Sequence, residues 1–272
     1  MAKQQFLNHV VWITGGGSGL GREMALEFAR RGADVAVSGR RVERLQEVTA
    51  EVEALGRRAL AVACDVTSDA DCERAATAIV DALGRLDVAV ANAGYSVAGS
   101  IESVSAQEWR GQLETNVVGV TNTIRAALPH LRRTQGRMVL IGSVAGIVTT
   151  PGVGPYHASK FAVRAIGETL SKELYGSGVS CTTIHPGFVE SEIAQVDNSG
   201  RFDPNRVDRR PQRFMWKTAD AARVMVNAIA RRKREYVFTA HGRAAAFLGR
   251  HMPGLVHFVV TRARVRYRRR DE

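Results

Sequence analysis

About seven short apolar runs, each separated from the next by a stretch of helical period, constrain this chain more than any other feature. The runs fall at 10–14, 34–38, 59–64, 86–91, 137–141, 179–184 and 235–239. They lack polar alternation, so the pattern predicts strands buried on both faces, as in a parallel sheet flanked by helices. Between them, Leu20, Met24 and Phe28 recur at four-residue spacing, and Val42, Leu45, Val48, Val52 and Leu55 form one helical stripe. An Ala-rich helix is expected to end near Gly84, and further helices to open near Glu108, Tyr156 and Thr218. Strict β-α alternation makes an α/β, doubly wound parallel sheet the economical architecture.

The chain has 272 residues, enough for one large core, and shows no repeat, linker or composition shift before residue 200. One domain over 1–272 is expected, with an irregular Arg-rich region at 191–216 and an apolar, basic extension at 241–272. Formal charge is +11, which invites a nucleic-acid reading. Its distribution argues otherwise. Residues 1–200 carry 19 basic and 21 acidic side chains, whereas 201–272 carry 19 and 6. The excess is therefore local. No aromatics are interleaved with the basic residues in a stacking arrangement, so nucleic acid is not the expected partner.

Gly15, Ser18, Gly19, Leu20 and Gly21 lie where the first strand turns into the first helix. Glycine lets backbone approach a pyrophosphate there, and the helix N-terminus attracts the anion. That placement predicts a Rossmann-type NAD(P)-binding turn. The second strand ends at Ser38-Gly39-Arg40-Arg41 with no acidic residue to hold a ribose 2′-hydroxyl. Guanidiniums there suit a 2′-phosphate, so NADP(H) is expected over NAD(H), with Arg40 the principal contact. Decoration of a helix start is the competing explanation. Asp65 and Val66 follow the third strand; Asp65 could accept the adenine amino group or cap a helix, with Thr67 and Ser68 as rival caps. Asn92, Ala93 and Gly94 end the fourth strand, where small residues permit close approach.

Tyr156 and Lys160 stand four residues apart, which places phenol and ammonium on one helix face. A free tyrosine ionises near pH 10, too high for a base at neutral pH. An ammonium ~5 Å away at an effective dielectric of ~20 supplies ~3 kcal/mol, about two pKa units of lowering.

With Asn116, Ser143 and Pro186-Gly187 also at strand ends or helix starts, the ordered set resembles the short-chain dehydrogenase/reductase family in its compact single-domain branch. The resemblance spans about residues 8–240 and implies hydride transfer between a nicotinamide and a carbonyl or secondary alcohol. It implies Tyr156 as proton donor or acceptor, and Lys160 as the group that lowers its pKa and holds the nicotinamide ribose. Ser143 would bind the substrate oxygen, and Asn116 would help hold a relay water. Pro186, Gly187, Val189 and Ser191 would face the nicotinamide. Two departures are Ala91 where the family often has Asn, and Ser191 where it has Thr. His157 and His185 flank these residues but have no carboxylate or Cys partner spaced for a triad, and read as packing residues. A catalytically silent NADP-binding module is the rival class; degenerate members would be expected to lose Tyr156 or Lys160.

The family resemblance favours a homodimer or homotetramer. Arg201, Arg206, Arg209, Arg210 and Arg213 lie in the expected substrate-side loop, where one could pair with a substrate carboxylate or phosphate unless Asp203 and Asp208 offset them. Apolar stretches at 244–248 and 255–260 precede Arg262, Arg264, Arg266, Arg268, Arg269 and Arg270. They are compatible with peripheral contact on an anionic membrane, a lipophilic substrate or a neighbouring subunit. Cys64, Cys72 and Cys181 show no metal-ligand spacing, and no metal is expected. Without a signal-peptide pattern or a ~20-residue apolar span, the chain is expected in the cytoplasm.

Overall fold

Alternate residues of each apolar run go to opposite faces of one sheet, and two helical layers close over them. The computed structural model describes residues 4–208 and 210–262. Strands β1 (Val10–Thr14), β2 (Asp34–Gly39), β3 (Ala59–Ala63), β4 (Val88–Ala91), β5 (Arg137–Ile141), β6 (Ser180–His185) and β7 (Glu235–Val237) are all parallel. Their order is β3-β2-β1-β4-β5-β6-β7. It reverses between β1 and β4, which opens a crevice at the carboxyl ends of the strands.

On one face Val11, Ile13, Val35, Val37 and Val90 pack against α1 (Gly19–Arg30), α2 (Val42–Ala54) and α7 (Thr218–Ala230). On the other, Trp12, Ala36, Ala89 and Leu140 meet α3 (Asp69–Leu83), α5 (Gly119–Thr134) and α6 (Gly154–Glu173). Helix α4 (Ala106–Leu113) joins α5 through a π-helical turn, Glu114–Val118. Helices α8 (Ala240–His251) and α9 (Pro253–Arg262) follow β7.

Three boundaries differ from the sequence pattern, each for a local reason. Burial on both faces holds for the inner strands but not for β3, which is half-buried because it is the sheet edge. The fourth run starts its ladder only at Val88, because the Asp87 carboxylate is bound to Arg85 and to the Val10 N–H at 2.9 Å. The last run stops at Val237, because Thr239 turns to cap α8, its hydroxyl accepting from the Gly242 N–H at 3.1 Å.

Candidate active site

Gly15 turns the chain out of β1 with φ +62°, and Gly19 opens α1 with φ +51°. Space, as well as conformation, demands glycine. A Cβ on Gly15 would stand 2.9 Å from Ala93 Cα, and one on Gly21 would stand 2.3 Å from the Gly15 carbonyl. Asn92 clamps the turn: its side-chain amide donates to the carbonyls of Thr14 at 2.9 Å and Gly15 at 3.2 Å. Its backbone N–H and that of Ala93 donate to the Thr14 hydroxyl. The Asn92 side chain is thus spent on shaping the turn. The first turn of α1 holds no acidic residue and Ser18 does not cap it with its side chain, so its N-terminus favours an anion.

Arg40 and Arg41 emerge from β2 at the side of this turn. Arg40 donates to the Gly200 carbonyl at 3.1 Å, and Arg41 donates to the Ser18 hydroxyl and to Glu192, both at 3.0 Å. The Phe202 ring lies 5.4 Å from the Arg41 guanidinium. Glu192 is invisible to the sequence pattern: the acidic group missing from the end of β2 is brought to Arg41 by the 191–216 region. Asp65 does not cap α3. Its Oδ1 accepts from the Thr67 N–H and hydroxyl at 3.0 and 2.9 Å, while Ser68 is the cap. Val66 is buried beside Gly119.

Tyr156 lies in the first turn of α6, and Ser143 lies just beyond β5, where its hydroxyl accepts from the Ala145 N–H at 3.1 Å. Burial pushes the Tyr156 phenol above its ordinary value, while a hydrogen bond with Ser143 and the nearby Arg210 charge work against that. Lys160 is 6% exposed; its ammonium donates to the Ile141 carbonyl at 2.9 Å and lies 5.7 Å from the Tyr156 ring centroid. Burial lowers Lys160 to about 8. The phenol therefore shifts opposite to the direction that the Tyr-Lys spacing predicts, because desolvation outweighs the charges around it.

Asn116 sits in the π-helical turn and is 1% exposed. Its side chain bonds both backbone groups of Tyr95 and the Ser159 hydroxyl, at 3.0–3.1 Å. That side chain lies behind the cleft, and the neighbouring Thr115 reaches its wall. His157 bridges the Ala145 carbonyl and the Thr150 N–H, pinning the loop between them. His185 is fully buried, with Nδ1 3.1 Å from the Ser143 carbonyl and Nε2 3.0 Å from Glu235. Contacts with His185, Arg250 and Arg164 hold the Glu235 carboxyl down at about 2. Gly187 is equally confined: a Cβ there would lie 2.4 Å from the Thr239 hydroxyl and 2.6 Å from His241 Nε2.

One cleft of about 640 Å³ gathers these groups. Gly15, Ser18, Gly19, Leu20 and Gly21 line it together with Arg40, Asp65, Val66, Asn92, Ala93 and Gly94. Ser143, Tyr156, Lys160, Pro186, Gly187, Val189 and Ser191 line the remainder. Of the anticipated site residues only Asn116 stands back from it. Arg41 lines it beside Arg40, and so do Tyr95, Glu192, Arg201, Phe202 and Arg210, which no sequence motif marks as cofactor contacts. Arg210 is not a free cation. It pairs with Asp208 at 2.8 Å and donates to the carbonyls of Val189 and Ser191, so it braces the wall. Arg209, Arg264, Arg266, Arg268, Arg269 and Arg270 lie outside the described residues. The glycine turn that no Cβ could enter, the open helix N-terminus and the flanking guanidiniums fit a dinucleotide.

Comparison with known proteins agrees with this geometry. The family model described as short chain dehydrogenase matches residues 9–201. An uncharacterized oxidoreductase of Myxococcus xanthus is 37% identical over 228 residues, 83% of this chain and 85% of that one. The 11-beta-hydroxysteroid dehydrogenase 1A of Arabidopsis thaliana is 36% identical over 233 residues, 83% of this chain and 66% of the relative. Among solved structures, a short chain dehydrogenase/reductase from Burkholderia phymatum in complex with NAD superposes with TM-score 0.82. It is 28% identical, covering 92% of this chain and 96% of that one. An alcohol dehydrogenase from Thermococcus sibiricus complexed with 5-hydroxy-NADP gives TM-score 0.74 at 26% identity, covering 86% and 97%. With this sheet order, this cleft and these relatives, the chain belongs to the short-chain dehydrogenase family and is a nicotinamide-nucleotide-dependent oxidoreductase of alcohol and carbonyl groups.

Proposed function

We propose that this enzyme is an NADP(H)-dependent reductase of lipophilic carbonyl compounds, running the reverse secondary-alcohol oxidation with the same residues. The observation that carries the reading is the meeting of Tyr156, Ser143 and Lys160 in the glycine-turn cleft. The bound nicotinamide supplies or accepts the hydride. Tyr156 donates its phenolic proton to the substrate oxygen, and Ser143 stabilises the charge that develops there. Lys160 provides a fixed positive charge beside the phenol, and Asn116 holds the backbone of Tyr95 and the hydroxyl of Ser159 in place behind them. The glycine turn and the Val66, Ala93 and Gly94 backbone receive the dinucleotide, with Pro186, Gly187, Val189 and Ser191 at its nicotinamide end.

Turnover of a panel of aldehydes, ketones and secondary alcohols, followed by nicotinamide absorbance, tests the assignment. Tight NADPH binding with no turnover of any carbonyl would replace it by a silent binding module. Phe188 stacks on His241 and Phe214 lies tilted against it, both at 5.6 Å, an aromatic cluster next to Gly187 at the cleft's edge that supports a lipophilic substrate. Reduction also has a predictable pH limit. Lys160 is charged below about 8 and loses its charge as pH rises through that value, so kcat/KM for carbonyl reduction should fall above it. A profile flat to pH 10 would show that the Lys160 charge does not assist the phenol.

NADP(H) preference is supported by Arg40 and Arg41, but Glu192 competes for Arg41. An exposed ion pair of this kind is worth about 0–1 kcal/mol. Glu192→Gln should therefore shift the ratio of NADP(H) to NAD(H) dissociation constants about threefold toward NADP(H). A shift toward NAD(H) would show that Glu192 assists the phosphate instead of opposing it. Cytoplasmic location, assembly as a homodimer or homotetramer, and peripheral contact with a membrane complete the proposal.

A further inference from the structure

Helix α8 turns its small residues inward. A Cβ on Gly242 would lie 3.0 Å from Val144, directly after Ser143, and one on Gly249 would lie 2.6 Å from Val148. Its outer side carries Phe247, 60% exposed. In α9 no residue is buried, although the helix is strongly apolar: Leu255, Phe258 and Val259 are 42%, 50% and 53% exposed. No described residue buries a side of this apolar helix, which marks it as a face that takes a partner.

Charge identifies that partner. Between Glu235 and Asp271 the sequence has eight arginines and no acidic residue. Of the described three, Arg250 pairs with Glu235, whereas Arg243 and Arg262 add to a net positive stretch that a second copy of this chain would repel. An anionic surface would neutralise them. Among the described residues no helix is long and apolar enough to cross a membrane, so the fitting geometry is a helix lying in the interface.

We propose that helices α8 and α9, with the arginine run that follows them in sequence, dock this enzyme on an anionic lipid bilayer, with acyl chains covering Phe247, Leu255, Phe258 and Val259. The inference deepens the membrane contact proposed above and rests on that reading. Apolar insertion and basic attraction are the two signals that together give a lasting peripheral attachment. Because Gly242 packs on the turn that follows Ser143, docking sets the nicotinamide end of the cleft beside the lipid. A lipophilic carbonyl dissolved in the bilayer would then reach Tyr156 by a short path.

Flotation of the purified full chain with vesicles tests this, using phosphatidylcholine alone or mixed with phosphatidylglycerol. The wild type should partition at least about tenfold more onto the anionic vesicles. Phe258→Glu combined with Val259→Glu should lower that binding at least tenfold. Arg264→Gln, Arg266→Gln and Arg268→Gln together should also lower it and weaken its dependence on salt. Failure of the wild type to float on either vesicle overturns the proposal. So does a Phe258→Glu, Val259→Glu variant that floats normally, or one that instead dissociates an oligomer of the wild type. A wild type that floats but reduces no carbonyl would remove the catalytic reading and leave the docking intact.

Discussion

Tyr156→Phe should lower kcat for carbonyl reduction by about a thousandfold while leaving NADPH binding within about threefold of wild type. General acid catalysis contributes roughly 10²–10⁴ in rate, and the neighbouring Lys160 ammonium is held by the Ile141 carbonyl instead of the substrate oxygen. Ser143 is hydrogen-bonded to the phenol, but an aliphatic hydroxyl is far too weak an acid. The substitution removes one oxygen and keeps the ring, so the face presented to the Lys160 ammonium at 5.7 Å survives. Rapid-mixing measurement of a single turnover separates this loss from any change in product release. A kcat within tenfold of wild type would mean that the proton comes from elsewhere, and would overturn the role of Tyr156 as the acid.

Replacing Arg40 and Arg41 together by Ala should weaken NADPH binding by about a hundredfold and NADH binding by much less. Hydrogen bonds to a charged group contribute about 1.5–3 kcal/mol each, and 1.4 kcal/mol is a factor of ten. Some of that gain is already offset, because both guanidiniums hold protein partners in Gly200, Ser18 and Glu192 that a phosphate would displace. Isothermal titration with each nucleotide decides the matter. Equal losses for both cofactors would mean that the arginines hold the 191–216 region closed without reading the phosphate.

Most of the fold is legible in the sequence because its signals are local. Glycines at 15, 19 and 21, the apolar runs and the Tyr156–Lys160 spacing each act within a few residues of one another; the runs build the sheet, and the glycines and the Tyr156–Lys160 pair line one cleft. What escapes the sequence depends on distance along the chain. Glu192 meets Arg41 across 151 positions, and Gly200 meets Arg40 across 160. No periodicity reports such a meeting. The shift of Tyr156 runs against the sequence expectation for a related reason, since spacing reveals a neighbouring ammonium but not the depth of burial. Asn116 stands out by its motif, yet the π-helical turn that commits its side chain to Tyr95 and Ser159 leaves no mark in residue types.

The family match ends at residue 201, but the floor of the cleft does not. Ser143 is braced through His185 by Glu235, and Gly187 rests against Thr239 and His241. An enzyme built this way has an evolutionary side door. Changes in its last forty or so residues can tilt the substrate-facing edge while every motif residue stays the same. New substrate ranges could then arise by drift in the tail quarter, and designers seeking them would do well to build libraries there first.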